Sequence, residues 1–137
     1  MVDASPVRNR IFQWMAYLYR IQGELYYGTD IWGEHPWDQL YYAGGNGDGA
    51  LFYPWTAEKV GGTTPIPVAS IRMKLIRDGM EDYEYLAALA KAGETQFVSD
   101  TIRSFITDAL TFKDDPAALS AAREKLGTAL HRRSLTR

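Results

Sequence analysis

The stretch from Asn46 to Leu86 constrains the fold of this chain most. It opens with Asn46-Gly47-Asp48-Gly49, two turn dipeptides that tolerate positive φ, so a hairpin turn is the plain reading. Asp48 at that loop tip could also bond a substrate hydroxyl. Ala50-Leu51-Phe52-Tyr53-Pro54 follows as a short aromatic strand. Gly61-Gly62-Thr63-Thr64-Pro65 marks another turn. From Pro67 onward the chain turns helical, with Ile71, Leu75, Tyr83, Leu86 and Ala90 as the apolar stripe and Lys91-Ala92-Gly93 as the stop. Gly79 in mid-helix costs about 1 kcal/mol against alanine, so another segment is expected to pack closely there. Lys74/Asp78 and Arg77/Glu81 are i,i+4 pairs, which argues for a solvated charged face. The sharper alternative has Arg72, Arg77 and Asp82 in buried pairs that tie the helix to a strand end.

Upstream, Ser5-Pro6 is a helix start, and Val7, Ile11, Trp14, Met15 and Leu18 recur at helical spacing, which predicts a helix from about Pro6 to Arg20. Gly23-Glu24-Leu25-Tyr26-Tyr27 reads as a strand. Gly33 to Gly49 reads as loop. Downstream, Phe97, Val98, Ile102, Phe105, Ile106 and Ala109 predict a third helix. Asp115-Pro116 starts a fourth, with Arg132 and Arg133 near its end, where they suit the helix dipole.

Eight Tyr and Trp residues fall between positions 26 and 55. Flat aromatic faces suit sugar rings and protein partners alike, and an aromatic core is the plainer alternative. A net charge of -2 gives no reason to expect nucleic acid. No run approaches the roughly 18 apolar residues of a membrane span, so no membrane partner is expected. The chain has no cysteine, which excludes disulfides and thiolate chemistry. His35 and His131 have no ligand-like companions, and the full spacing of a calcium loop is missing around Asp48, so no metal is expected. No phosphate loop, dinucleotide fingerprint or nucleophile elbow occurs, and no cofactor is expected. Asp30, Glu34, Asp38 and Asp48 could furnish the paired carboxylates of a glycosidase, but their spacing singles out no two of them.

Taken in order, Trp14, Gly23 to Tyr27, Trp32, Asn46 to Pro54, Pro67 to Arg72 and Arg77-Asp78-Gly79-Met80-Glu81-Asp82-Tyr83-Glu84-Tyr85-Leu86 resemble the C-terminal part of glycoside hydrolase family 123-like proteins. That region is also known as the domain of unknown function 4091. The resemblance covers about Arg8 to Leu89. It implies an α/β fold, a C-terminal fragment of a (β/α)8 TIM-type barrel, mostly helical with one or two short strands. A whole barrel takes about 250 residues, more than the 137 present. It also implies an N-acetyl-β-galactosaminidase type of activity, in which the substrate's own acetamido oxygen attacks and an adjacent Asp-Glu pair assists. No Asp-Glu dipeptide occurs in this sequence. The pair is therefore expected upstream of Met1, no residue here is assigned a catalytic role, and the isolated chain is expected to be inactive. Trp55 stands where the family more often has glycine.

On that layout Glu24 to Tyr27 is the last barrel strand, and Gly28 to Gly49 is a loop at the catalytic face. Residues 1–93 form the last βα units, and residues 94–137 form a helical pair packed on them. Tyr27, Trp32, Trp37, Asn46, Asp48 and Tyr53 are the expected sugar contacts. The expected partners are an amino-sugar glycoside and either the rest of the barrel or a second copy. A non-catalytic carbohydrate-binding module and a helical interaction module are the alternatives.

Overall fold

The computed structural model describes residues 2–135. About half the chain is helical, with two small antiparallel sheets beside the helices. Helix α1, Pro6–Leu18, starts where Ser5 Oγ accepts a hydrogen bond from the Val7 amide at 3.2 Å and proline occupies the first turn. Arg20 then takes φ 55° and turns the chain away. The hairpin β1, Tyr41–Tyr42, and β2, Gly45–Asn46, follows, with Tyr41 opposite Asn46. Strand β3, Phe52–Tyr53, the single-turn helix α2, Ala57–Val60, and strand β4, Val68–Ala69, come next. Phe52 lies opposite Ala69 in the second sheet.

Helix α3, Ile71–Lys91, is capped by Ser70 Oγ, which accepts from the Met73 amide at 3.2 Å. Helix α4, Thr95–Arg103, is short. Helix α5, Pro116–Leu135, starts from Asp115, whose carboxylate accepts from the Ala118 amide at 2.9 Å. That bond leads the interactions that hold the Asp115 carboxyl below its usual range.

One apolar core joins the four longer helices. Val7, Ile11 and Trp14 from α1 meet Leu86 and Leu89 from α3, Val98 and Ile102 from α4, and Leu119 and Leu126 from α5. Burying each such leucine contributes about 1.5–3 kcal/mol. Phe105 closes the end of this core edge-on to Trp14, with ring centroids 5.6 Å apart. Helices α1 and α3 approach closely at Gly79, as the glycine suggested. A Cβ there would lie 2.6 Å from the Arg10 carbonyl oxygen and 3.0 Å from Gln13 Cγ.

Beside that contact sits Asp82, fully buried. Its Oδ2 accepts from Arg10 Nε at 2.6 Å and Trp14 Nε1 at 3.0 Å. Its Oδ1 accepts from Arg10 Nη2 at 3.0 Å and from Arg123 Nη1 of α5. Arg123 Nη2 also reaches Glu81 at 3.0 Å, so two carboxylates balance two guanidinium groups.

Several sequence expectations are corrected. Gly23 to Tyr27 is not a strand. Among the described residues no strand lies beside it, and a lone extended segment has nothing to pair with. The hairpin turn falls at Ala43-Gly44, with φ 48° and 91°, whereas residues 47–49 form a turn outside the hairpin, with Gly47 and Gly49 at φ 74° and 69°. The third helix ends at Arg103, because the Asp108 carboxylate accepts the Leu110 and Thr111 amides, each at 2.8 Å, and fixes a turn there. The buried stripe of α3 is Arg72, Gly79, Asp82, Leu86 and Leu89, whereas Ile71 is 64% exposed. Arg77 pairs with Asp78 and Glu81 on the surface.

Asp82→Asn removes the charge that both arginines face. The expected loss is about 3–5 kcal/mol, read from urea unfolding followed by tryptophan fluorescence. A loss below about 1 kcal/mol would show that the pairs hold nothing together.

Candidate functional site

The aromatic strand end is built on a frame of backbone hydrogen bonds. The Ile31 amide donates to the Gly49 carbonyl at 2.8 Å, the Leu51 and Phe52 amides donate to the Thr29 carbonyl at 2.7 and 2.9 Å, and the Ser70 amide donates to the Leu51 carbonyl at 2.8 Å. Segments 29–31, 50–53 and 68–70 therefore lie side by side. Gly28 and Gly49 make room for this arrangement, since a Cβ on either would fall within 3.0 Å of the Ile31 side chain. Gly47, at φ 74°, lets the turn come down on Arg72, whose Cζ would lie 3.0 Å from a Cβ there.

Arg72 reaches from the first turn of α3 under the strand and is 4% exposed. Its Nη2 donates to the Ala50 carbonyl and, at 3.2 Å, to the Tyr53 hydroxyl. Its Cζ lies 5.7 Å from the centroid of the Tyr53 ring, a cation–π distance. Its Nε is buried with no hydrogen-bond partner. Trp37 stacks on Tyr53, with ring centroids 4.7 Å apart and 21° between the planes. Trp37 Nε1 donates to the Pro54 carbonyl and Trp32 Nε1 to the Phe52 carbonyl, each at 3.1 Å. The two indoles thus fasten to alternate carbonyls of one strand, which point the same way along it. Trp55 Nε1 donates to the Gly61 carbonyl at 2.9 Å and closes the following loop over itself.

These rings bound a cleft of about 530 Å³, lined by Asp30, Trp32, Tyr53, Trp55 and Ile66 among others. Mostly apolar walls with a few polar groups are what a small-ligand site needs. A larger groove of about 820 Å³ lies between α4 and α5. Phe97 is its one aromatic lining residue, and charged side chains such as Glu94, Lys125 and Arg132 line it too, so it offers no stacking platform.

Of the residues singled out in the sequence, Trp32 and Tyr53 line the cleft. Trp37 supports Tyr53 by stacking on it. Tyr27, Asn46 and Asp48 are not among the lining residues. Asn46 Nδ2 donates to both carboxylate oxygens of Asp3, at 3.0 and 2.8 Å. The Asp48 carboxylate accepts the Gly49 amide at 3.1 Å. Tyr27 is 76% exposed and hydrogen-bonds Tyr42. That bond, with the charge of nearby Asp48 as a lesser cause, raises the Tyr42 phenol above its ordinary value. Asp30 and Trp55 are among the lining residues that the expected contacts did not include. The direct succession Tyr53-Pro54-Trp55 was the available signal for Trp55. Among the described residues no group of three or more His, Asp or Glu is placed to hold a metal ion, and no helix is long and apolar enough to cross a membrane.

The model of the glycoside hydrolase 123 catalytic domain matches residues 1–89, which include every residue of the cleft. No curated protein matches the chain.

Arg72→Met leaves the Ala50 carbonyl and the Tyr53 hydroxyl without their charged donor. The expected cost is about 2 kcal/mol, measured by urea unfolding, with a red shift of tryptophan emission as the 50–55 segment loosens. Stability within about 0.5 kcal/mol of the parent would show that Arg72 does not hold this strand.

Proposed function

The chain belongs to the glycoside hydrolase 123 catalytic-domain family, and on that footing we propose that it is the C-terminal segment of a (β/α)8 barrel of N-acetyl-β-galactosaminidase type. In this reading residues 1–93 are the last βα units and residues 94–137 are a helical pair that backs them. The chain supplies aromatic sugar contacts, and the catalytic Asp-Glu pair comes from outside it. Glu81-Asp82 cannot substitute for that pair, because Asp82 is fully buried and saturated by two arginines and an indole.

The observation that carries the reading is the cleft. Trp32, Tyr53 and Trp55 present ring surface around one opening, within the residues that the family model matches. Apolar C–H faces of a pyranose lie well on such rings. Trp37 stacks on Tyr53 and Arg72 hydrogen-bonds its hydroxyl, so little side-chain freedom is lost on binding. Trp32 and Tyr53 are the sugar contacts of this proposal, joined by Trp55. Tyr27, Asn46 and Asp48 serve the surrounding loop.

The partner reading rests on a second observation. Leu25 is 89% exposed and Ile21 is 42% exposed, beside Tyr27. Leu25 lies within, and Ile21 just before, the segment that is a barrel strand in the family layout, and neighbouring strands of the same barrel would cover them. Self-association is the competing way to cover them.

Calorimetry with an aryl N-acetyl-β-galactosaminide tests binding and chemistry together. The pure chain is expected to bind it and release no phenol. Trp32→Ala and Trp55→Ala should each weaken binding about tenfold or more. Release of phenol by the pure chain would overturn the assignment of catalysis elsewhere. Absence of binding by any amino-sugar glycoside would overturn the cleft as a sugar site.

A further inference from the structure

Strand alternation decides what the cleft presents to a ligand. Ile31 packs over Gly28 and Gly49, so its neighbours Asp30 and Trp32 face the other way, and both line the cleft. Asp30 is the only charged side chain among the described lining residues. No cation is among the described lining residues. Lys59 lies 3.7 Å from Asp38, outside the lining. Arg72 is not a lining residue, and its Nη2 is shared between Ala50 and Tyr53. The opening therefore offers aromatic faces and one negative charge, with no cation to receive an anionic substituent.

Building on the reading of this cleft as a saccharide site, we propose that Asp30 determines its specificity and makes it selective for uncharged sugars. The carboxylate accepts hydrogen bonds from ring hydroxyls, which are strong because the acceptor is charged. The same charge repels sulfate or carboxylate groups carried by the sugar. The aromatic rings set ring orientation, and Asp30 sets which substituents are admitted. Asp30 is exposed, and its backbone bridges to Ala50, so its side chain can be changed without removing a buried contact.

The test compares methyl N-acetyl-β-galactosaminide with its 6-O-sulfate, binding to the intact chain being followed by tryptophan fluorescence. At pH 7 and low salt the sulfated sugar is expected to bind about tenfold more weakly. In 0.5 M sodium chloride that gap should narrow, since the Debye length falls to about 4 Å. In Asp30→Asn the two sugars should bind within about twofold of each other, with the far-ultraviolet dichroism unchanged. Equal binding of the two sugars by the parent, or an undiminished gap in Asp30→Asn, overturns the specificity role and leaves the cleft as a sugar site intact. Failure of both sugars to bind the parent overturns the cleft reading, and the role of Asp30 falls with it.

Discussion

A single carboxylate shut away from water governs how this chain is arranged. Asp82 has no exposed surface, and an isolated charge in that position would cost several kcal/mol. It is tolerated because each of its oxygens takes two donors, from Arg10, Trp14 and Arg123. Those donors come from α1 and α5, so the desolvation requirement of one group on α3 fixes three helices at once. The close approach of α1 to Gly79, one turn away on the same face, follows from the same demand. A side chain at Gly79 would push Arg10 off the carboxylate that needs it.

Helix α3 carries this constraint to the cleft. Arg72 lies ten residues before Asp82, about 15 Å along the helix, on the same buried face. One end of α3 is clamped in the helical core, and the other holds Ala50 and Tyr53. The cleft is thus assembled from loop segments but referenced to a rigid rod. Its indole N–H groups are satisfied by backbone carbonyls, which leaves ring faces, the Tyr53 ring and the Asp30 carboxylate as the surface available for recognition. In the proposed reading these groups receive the sugar ring and its hydroxyls, and the catalytic carboxylates come from elsewhere.

Much of the helical frame was legible in the sequence because it is encoded locally. Ser5-Pro6, Ser70 and Asp115-Pro116 start α1, α3 and α5 by side-chain capping and proline geometry. Gly79 announced a close contact because nothing else justifies glycine in mid-helix. The orientation of α3 was not legible from periodicity, since its buried face holds Arg72, Gly79 and Asp82, which a hydrophobic pattern counts as solvent-facing. Of the suggested buried pairs, Arg72 and Asp82 are inside, whereas Arg77 is on the surface. The hairpin at Ala43-Gly44 escaped notice because alanine at positive φ is no turn signal. Trp32 and Tyr53 were singled out by ring chemistry and the family resemblance, and both line the cleft. Asp30 joins them only through the pairing of residues 29–31 with 49–52, a long-range register that no local pattern carries, whereas Trp55 follows Tyr53-Pro54 directly in the sequence.

The four tryptophans provide the most direct measurement. Each indole N–H has its own partner: Asp82 for Trp14, and the carbonyls of Phe52, Pro54 and Gly61 for Trp32, Trp37 and Trp55. The four signals should therefore be distinct in a nitrogen–proton correlation spectrum of the labelled chain, and single substitutions assign them. Adding methyl N-acetyl-β-galactosaminide should shift the Trp32 and Trp55 signals most, Trp37 less, and leave the buried Trp14 still. Shifts absent from Trp32 and Trp55, or no larger there than at Trp14, would contradict a sugar site in this cleft.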